Sequence, residues 1–92
     1  YLRILAWLAT NAYHSGDDVA ALDYALKLLA AEPCREDAHR LVMRVHVRHG
    51  ERAQALRQFQ ICTEVLRSEF DVAPEDLTRE LFDQIRSGAE VT

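Results

Sequence analysis

Gly16 and Gly50 stand 34 residues apart, and the residues that follow them keep the same register. Ala21 matches Ala55, Leu22 matches Leu56, Ala25 matches Phe59 and Leu28 matches Cys62, while Gly16-Asp17 returns as Gly50-Glu51. Apolar residues in each half recur at steps of three and four, the spacing that gathers them on one face of an α-helix. A helical unit of this length is a pair of antiparallel helices that cannot bury its apolar face alone, so neighbouring units must stack. No stretch alternates Val, Ile and Thr in the period-2 manner of a strand. The fold class this predicts is all-α: a right-handed stack of two helical hairpins plus a C-terminal capping helix.

Boundary residues divide the chain into five helices. The first is expected from about Leu2 to His14, with Leu2, Leu5, Leu8, Ala9 and Ala12 on one face and Ser15-Gly16 at its end. Asp17 caps the second, which carries Val19, Ala21, Leu22, Ala25, Leu26 and Leu29 inward and stops before Pro33. Glu36 and Asp37 suit the first turn of a third helix that carries Ala38, Leu41, Val42 and Val45 and ends at His49-Gly50. In the fourth, Arg67 stands where the repeat would place a second proline, so this helix should outrun its counterpart by about a turn, to Phe70. Pro74 then opens a fifth, with Leu77, Leu81, Phe82 and Ile85 as its buried stripe and Gly88 as its stop. Repeat one thus covers about 2–33, repeat two about 35–69 and the capping helix about 74–87 of a single domain, 1–92. The chain opens on Tyr1 rather than Met, so a fragment of a longer protein is expected.

A helical period of 34 is that of tetratricopeptide repeats, scaffolds that grip other chains and seldom carry catalysis. Composition narrows the function classes further. Net charge is −4, yet residues 35–70 hold seven arginines against five acids, and Lys27 is the only lysine. An acidic chain of this kind is a poor non-specific DNA binder by itself. No apolar run nears the roughly 18 residues that span a bilayer, so no membrane partner is expected. Cys34 and Cys62 give neither a disulfide framework nor zinc spacing, and read as two reduced thiols of a cytoplasmic protein: Cys62 in the core, Cys34 exposed in a turn.

Three stretches carry a family resemblance. They are Glu32-Pro33-Cys34-Arg35-Glu36-Asp37-Ala38-His39-Arg40-Leu41-Val42-Met43-Arg44, then His49-Gly50-Glu51-Arg52-Ala53-Gln54-Ala55-Leu56-Arg57-Gln58-Phe59, then Leu66-Arg67-Ser68-Glu69-Phe70-Asp71-Val72-Ala73-Pro74. In that order they resemble the bacterial transcriptional activator domain, the TPR-like module that follows a winged helix-turn-helix domain in actinobacterial antibiotic-regulatory activators. Phe70-Asp71 replaces the Leu-Gly usual in that family. The resemblance spans roughly residues 12–87. It implies a regulatory protein–protein interaction domain with DNA recognition in a domain outside the fragment. Implied partners are its own DNA-binding domain, an RNA polymerase subunit, or a second copy. The alternatives are a generic TPR peptide-binding adaptor and a dimerisation element of a signalling protein.

Candidate sites follow from helical spacing. Arg40, Arg44 and Arg48 share one face of the third helix at i, i+4 and i+8. Repeat packing lines the inner groove with that face and with the matching positions of the first repeat, Ala6, Thr10 and His14, with Arg3 and Tyr13 nearby, so these arginines are candidates to receive an acidic partner segment. The competing reading is a solvated face balanced by the chain's own acids, including Asp37 and those of the last helix. The co-chaperone carboxylate clamp fits poorly, since the positions that would need Lys and Asn hold Ala6, Thr10 and Leu41. Trp7 falls off the apolar stripe of its helix and is a candidate interdomain contact, whereas Phe70 and Phe82 follow their stripes and should pack between helices.

Nothing catalytic is assembled. Ser15, Ser68 and Ser87 lack a nucleophile-elbow setting, and the acid pairs Asp17-Asp18 and Glu75-Asp76 sit at helix starts, where the dipole accounts for them. His46 and His49 make a lone i, i+3 pair, and His39 reads as a packing or hydrogen-bonding residue, so no metal or cofactor is expected.

Overall fold

The computed structural model describes residues 1–88; the last four residues of the 1–92 span, with the acidic Glu90, lie outside it. Five helices follow one another: α1 (Leu2–His14), α2 (Asp18–Ala31), α3 (Glu36–Arg48), α4 (Arg52–Phe70) and α5 (Asp76–Ser87). No strand occurs among the described residues. The helices form a slab of 32 × 32 × 18 Å. Hairpin α1–α2 stacks on hairpin α3–α4, and α5 closes the far end against α3 and α4.

The repeat seen in sequence recurs as a repeat of hydrogen bonds. Gly16 and Gly50 both adopt left-handed φ, +85° and +73°. Each lets the following N–H turn back onto its helix, from Asp17 to the Ala12 carbonyl and from Glu51 to the His46 carbonyl, both at 2.8 Å. Asp17 then caps α2 through its carboxylate, which accepts the Ala20 N–H at 3.2 Å. Ala21 and Ala55, in matching positions, are both fully buried where the helices cross closely.

The core has two lobes. Leu5, Ala9, Ala25, Leu28, Ala38, Leu41 and Val42 join repeat one to α3. Met43, Ala55, Leu81 and Ile85 join repeat two to α5, with the Phe59 and Phe82 rings stacked at 4.1 Å beside them. Helix α3 lies between the lobes and is buried on both sides, which is why Met43 is inside as well as Val42.

Five expectations need correcting. Leu77 is 62% exposed and Thr78 takes its place on the α5 stripe, because Thr78, Leu81 and Ile85 share the face that α3 covers. Val19 and Leu26, seven residues apart on α2, face solvent, since none of the described helices packs against that face. Phe70 is 66% exposed. At 19 residues α4 outruns the 13-residue α3 by about 9 Å, so its last turn has little to pack on. Cys34 is half-buried rather than exposed, its thiol pointing to the Val65 carbonyl at 3.6 Å. Pro74 precedes α5, whose N-cap is Glu75.

After Phe70 the chain turns through Asp71 at φ 53°, ψ 44°, the only non-glycine residue with positive φ among those described. This is the left-handed conformation that glycine would supply in the family's usual Leu-Gly pair, and Asp tolerates it better than most side chains.

Candidate functional site

The inner faces of α1 and α3 enclose an open hollow of about 340 Å³. Ala6, Ala9 and Thr10 form one wall and Ala38, Arg40, Leu41 and Arg44 the other, with Leu28 of α2 at the floor. Small residues on α1 create the space: alanine at two successive turns leaves the helix backbone as the wall. Tyr13 and His14 close one end.

The three α3 arginines meet different fates. Arg40 is bound to α5: Nη1 donates to Thr78 Oγ1 at 2.9 Å and contacts the Glu75 carboxylate. Arg48 is bound to repeat one, with both Nη atoms donating to the Tyr13 carbonyl at 3.1 and 3.0 Å and the guanidinium 3.6 Å above the Tyr13 ring. That places a cation at the C-terminal end of α1, where the helix dipole favours it. Arg48 also lies 3.5 Å from Asp18 Oδ1, an ionic contact without a hydrogen bond, while Asp18 Oδ2 pairs with His49 Nε2 at 2.9 Å.

Arg44, between them, is half-buried and makes no hydrogen bond or ion pair among the described residues; its Nε is shut off from solvent without an acceptor. Leaving a buried donor unpaired costs about 1–3 kcal/mol. Of the remaining groove candidates, Tyr13 lines the hollow and Arg3 is exposed outside its wall. Asp37 lines the hollow as the one acid there, but Arg35 Nε holds it at 2.9 Å. Trp7 is 65% exposed, with Ile4 on α1 and Tyr1 at its N-cap also bare.

A polar lattice that sequence reasoning missed fixes α5 against α3 and α4. The Glu36 carboxylate accepts the Glu75 N–H at 3.0 Å and the Thr78 hydroxyl at 2.8 Å, so an acid meets the positive start of α5. At the other end of α5, Arg52 Nε donates to the Ile85 carbonyl at 2.8 Å and Nη2 reaches the Arg86 carbonyl. These partners lie 33 to 42 residues apart in the chain, a separation that local spacing cannot register. Thr78 alone left a signal, standing at i−3 and i−7 from Leu81 and Ile85.

His39 is 2% exposed. Its Nε2 bonds the Pro33 carbonyl at 2.7 Å and its Nδ1 bonds the Gln58 amide at 2.8 Å. That pairing calls for the neutral ring, Nε2–H donating and Nδ1 accepting. Burial lowers its pKa below the usual histidine value, against smaller opposing effects of the Pro33 carbonyl and Glu36. The other histidines turn elsewhere: His46 to Glu51 at 3.0 Å, His49 to Asp18 and His14 to the edge of Tyr13. No group of three or more His, Cys, Asp or Glu able to hold a metal ion occurs among the described residues. Burial pushes the Cys62 thiol up to about 12, leaving it unreactive. No helix among the described residues is long and apolar enough to cross a membrane.

Comparison with known proteins bears on the whole chain. The family model for the bacterial transcriptional activator domain matches residues 1–86. No curated protein and no solved structure matches significantly. The matched span takes in all three sequence stretches, both hairpins and nearly all of α5. The chain belongs to the bacterial transcriptional activator domain family, a family of regulatory domains rather than a known family of enzymes.

Proposed function

We propose that this is the regulatory protein–protein interaction domain of a bacterial transcriptional activator, acting in the cytoplasm beside a DNA-binding domain outside residues 1–92. The observation that carries the proposal is the α1–α3 hollow, walled by helices that the Arg48 and Arg40 latches hold in place and lined by a cation with no partner of its own. A concave face on a rigid two-repeat scaffold suits a segment of another chain. The arginines give little support to direct DNA binding, since Arg40, Arg48 and Arg52 are spent on internal contacts and phosphate binding draws on free cations. Exposed Trp7 and Ile4, at the uncovered end of the stack, suit contact with the DNA-binding domain.

The test fills the groove from its exposed wall. Thr10→Trp in the whole activator should leave promoter occupancy intact while transcription falls severalfold. Equal transcription from the variant and the parent protein would remove the groove from the mechanism.

A further inference from the structure

We infer that the groove captures a single carboxylate side chain of an extended acidic peptide segment, with Arg44 as the residue that receives it; this rests on the groove being the docking site proposed above. Three features of the hollow point to that occupant.

The first is the unspent cation. A guanidinium offers five N–H donors in a fixed fork, a geometry that matches a carboxylate. Arg40 is engaged through Nη1 by Glu75 and Thr78 and Arg48 through both Nη atoms by Tyr13, whereas Arg44 makes no hydrogen bond or ion pair among the described residues. The second is charge balance. Asp37 in the same hollow is already paired with Arg35, and its Oδ1 also accepts the Ala38 N–H at 2.8 Å, so it does not reach across to neutralise Arg44. Arg40, which also lines the hollow, is ion-paired with Glu75, so one net positive charge, that of Arg44, is left facing the hollow of a chain whose net charge is −4. One unbalanced guanidinium suits a carboxylate better than a doubly charged phosphate, which is usually met by several cations.

The third is the shape of the walls. Ala6, Ala9 and Leu41 present small apolar surface beside the guanidinium, so the residues flanking the captured acid should be apolar. A peptide pairing one acid with neighbouring aliphatic side chains meets both features. Excluding water from the pair strengthens it.

The experiment selects displayed random dodecapeptides on the 92-residue chain and measures the synthesised winners by fluorescence anisotropy. Enriched peptides should share one Glu or Asp beside apolar residues, and replacing that acid by its amide should weaken binding about tenfold to a hundredfold. Arg44→Gln should weaken the parent peptide by a similar factor and make the chain indifferent to the acid-to-amide change. Arg44→Lys, which keeps the charge without the fork, should recover part of the loss. Circular dichroism melts of both variants check that the fold is retained.

Peptides that bind with no acid preference, or whose preference survives Arg44→Gln, overturn this inference and leave the groove reading standing. Peptides that bind Thr10→Trp as well as the parent chain overturn the groove reading itself. A parent chain that binds no peptide and is a dimer, becoming a monomer on Thr10→Trp, assigns the groove to a second copy and overturns the acidic-segment inference. A monomeric chain that selects no peptide overturns both.

Discussion

At the scale of single residues, two positions work against ordinary preference, and both give measurable consequences. His39 is held neutral between the Pro33 carbonyl and the Gln58 amide, with its pKa depressed by burial. The unfolded chain therefore takes up this proton first, and the His39 contribution to stability is lost as pH falls below the ordinary histidine value near 6.5. The slope can reach about 1.4 kcal/mol per pH unit from this one group. Urea unfolding between pH 7.5 and 5 should show that loss in the parent chain and a shallower one in His39→Gln; equal slopes would contradict the assignment. Asp71 holds a left-handed turn that glycine adopts freely. Asp71→Gly should stabilise the chain by roughly 0.5–1 kcal/mol, a rise of a few degrees in Tm, whereas Asp71→Val should lower it.

At the scale of elements, α5 is held by its two ends as much as by its stripe. Glu36 meets its start and Arg52 its finish, each opposite in sign to the helix end it contacts. Arg52→Ala should cost about 1–2 kcal/mol, since the Ile85 and Arg86 carbonyls lose a charged donor but can still reach water. Hydrogen exchange should locate the effect: amides of α5 speed up while those of α1 and α2 keep their rates. Uniform acceleration across all five helices would mean that α5 does not open separately.

All five helices were legible in sequence because each carries its own stop: Gly16, Pro33, Gly50, the Phe70–Pro74 bend and Gly88. Which face each one buries was less so. Helix α2 is apolar nearly all round, and only its place at the end of the stack decides that Ala21, Ala25 and Leu28 go in while Val19 and Leu26 stay out. Phe70 is exposed for another reason, the length of α4, which runs past the start of α3 that would cover it.

At the scale of the whole molecule, the two repeats and the cap make a trough whose helices are tied together by Arg40, Arg48 and Arg52. Helical spacing put Arg40, Arg44 and Arg48 on one face; Arg40 and Arg44 line the hollow, while Arg48 turns to Tyr13. Spacing could not tell which of them the protein uses for itself, because Glu75, Thr78 and Tyr13 each lie 35 or more residues away from the arginine they occupy. The result is a single unspent guanidinium in a small apolar hollow, on a scaffold belonging to a family of transcription regulators.

On the proposed function, a partner chain docks in that hollow. The most direct measurement places a photo-crosslinking phenylalanine analogue at Thr10, on the groove wall, and separately at Arg79, on the exposed side of α5, in the activator inside its own cells. Thr10 should crosslink to a protein segment only while the promoter is active, Arg79 should not, and mass spectrometry should find the attachment next to an acidic residue. Crosslinks from Arg79 alone, with Thr10 silent in every condition, would contradict docking in the hollow.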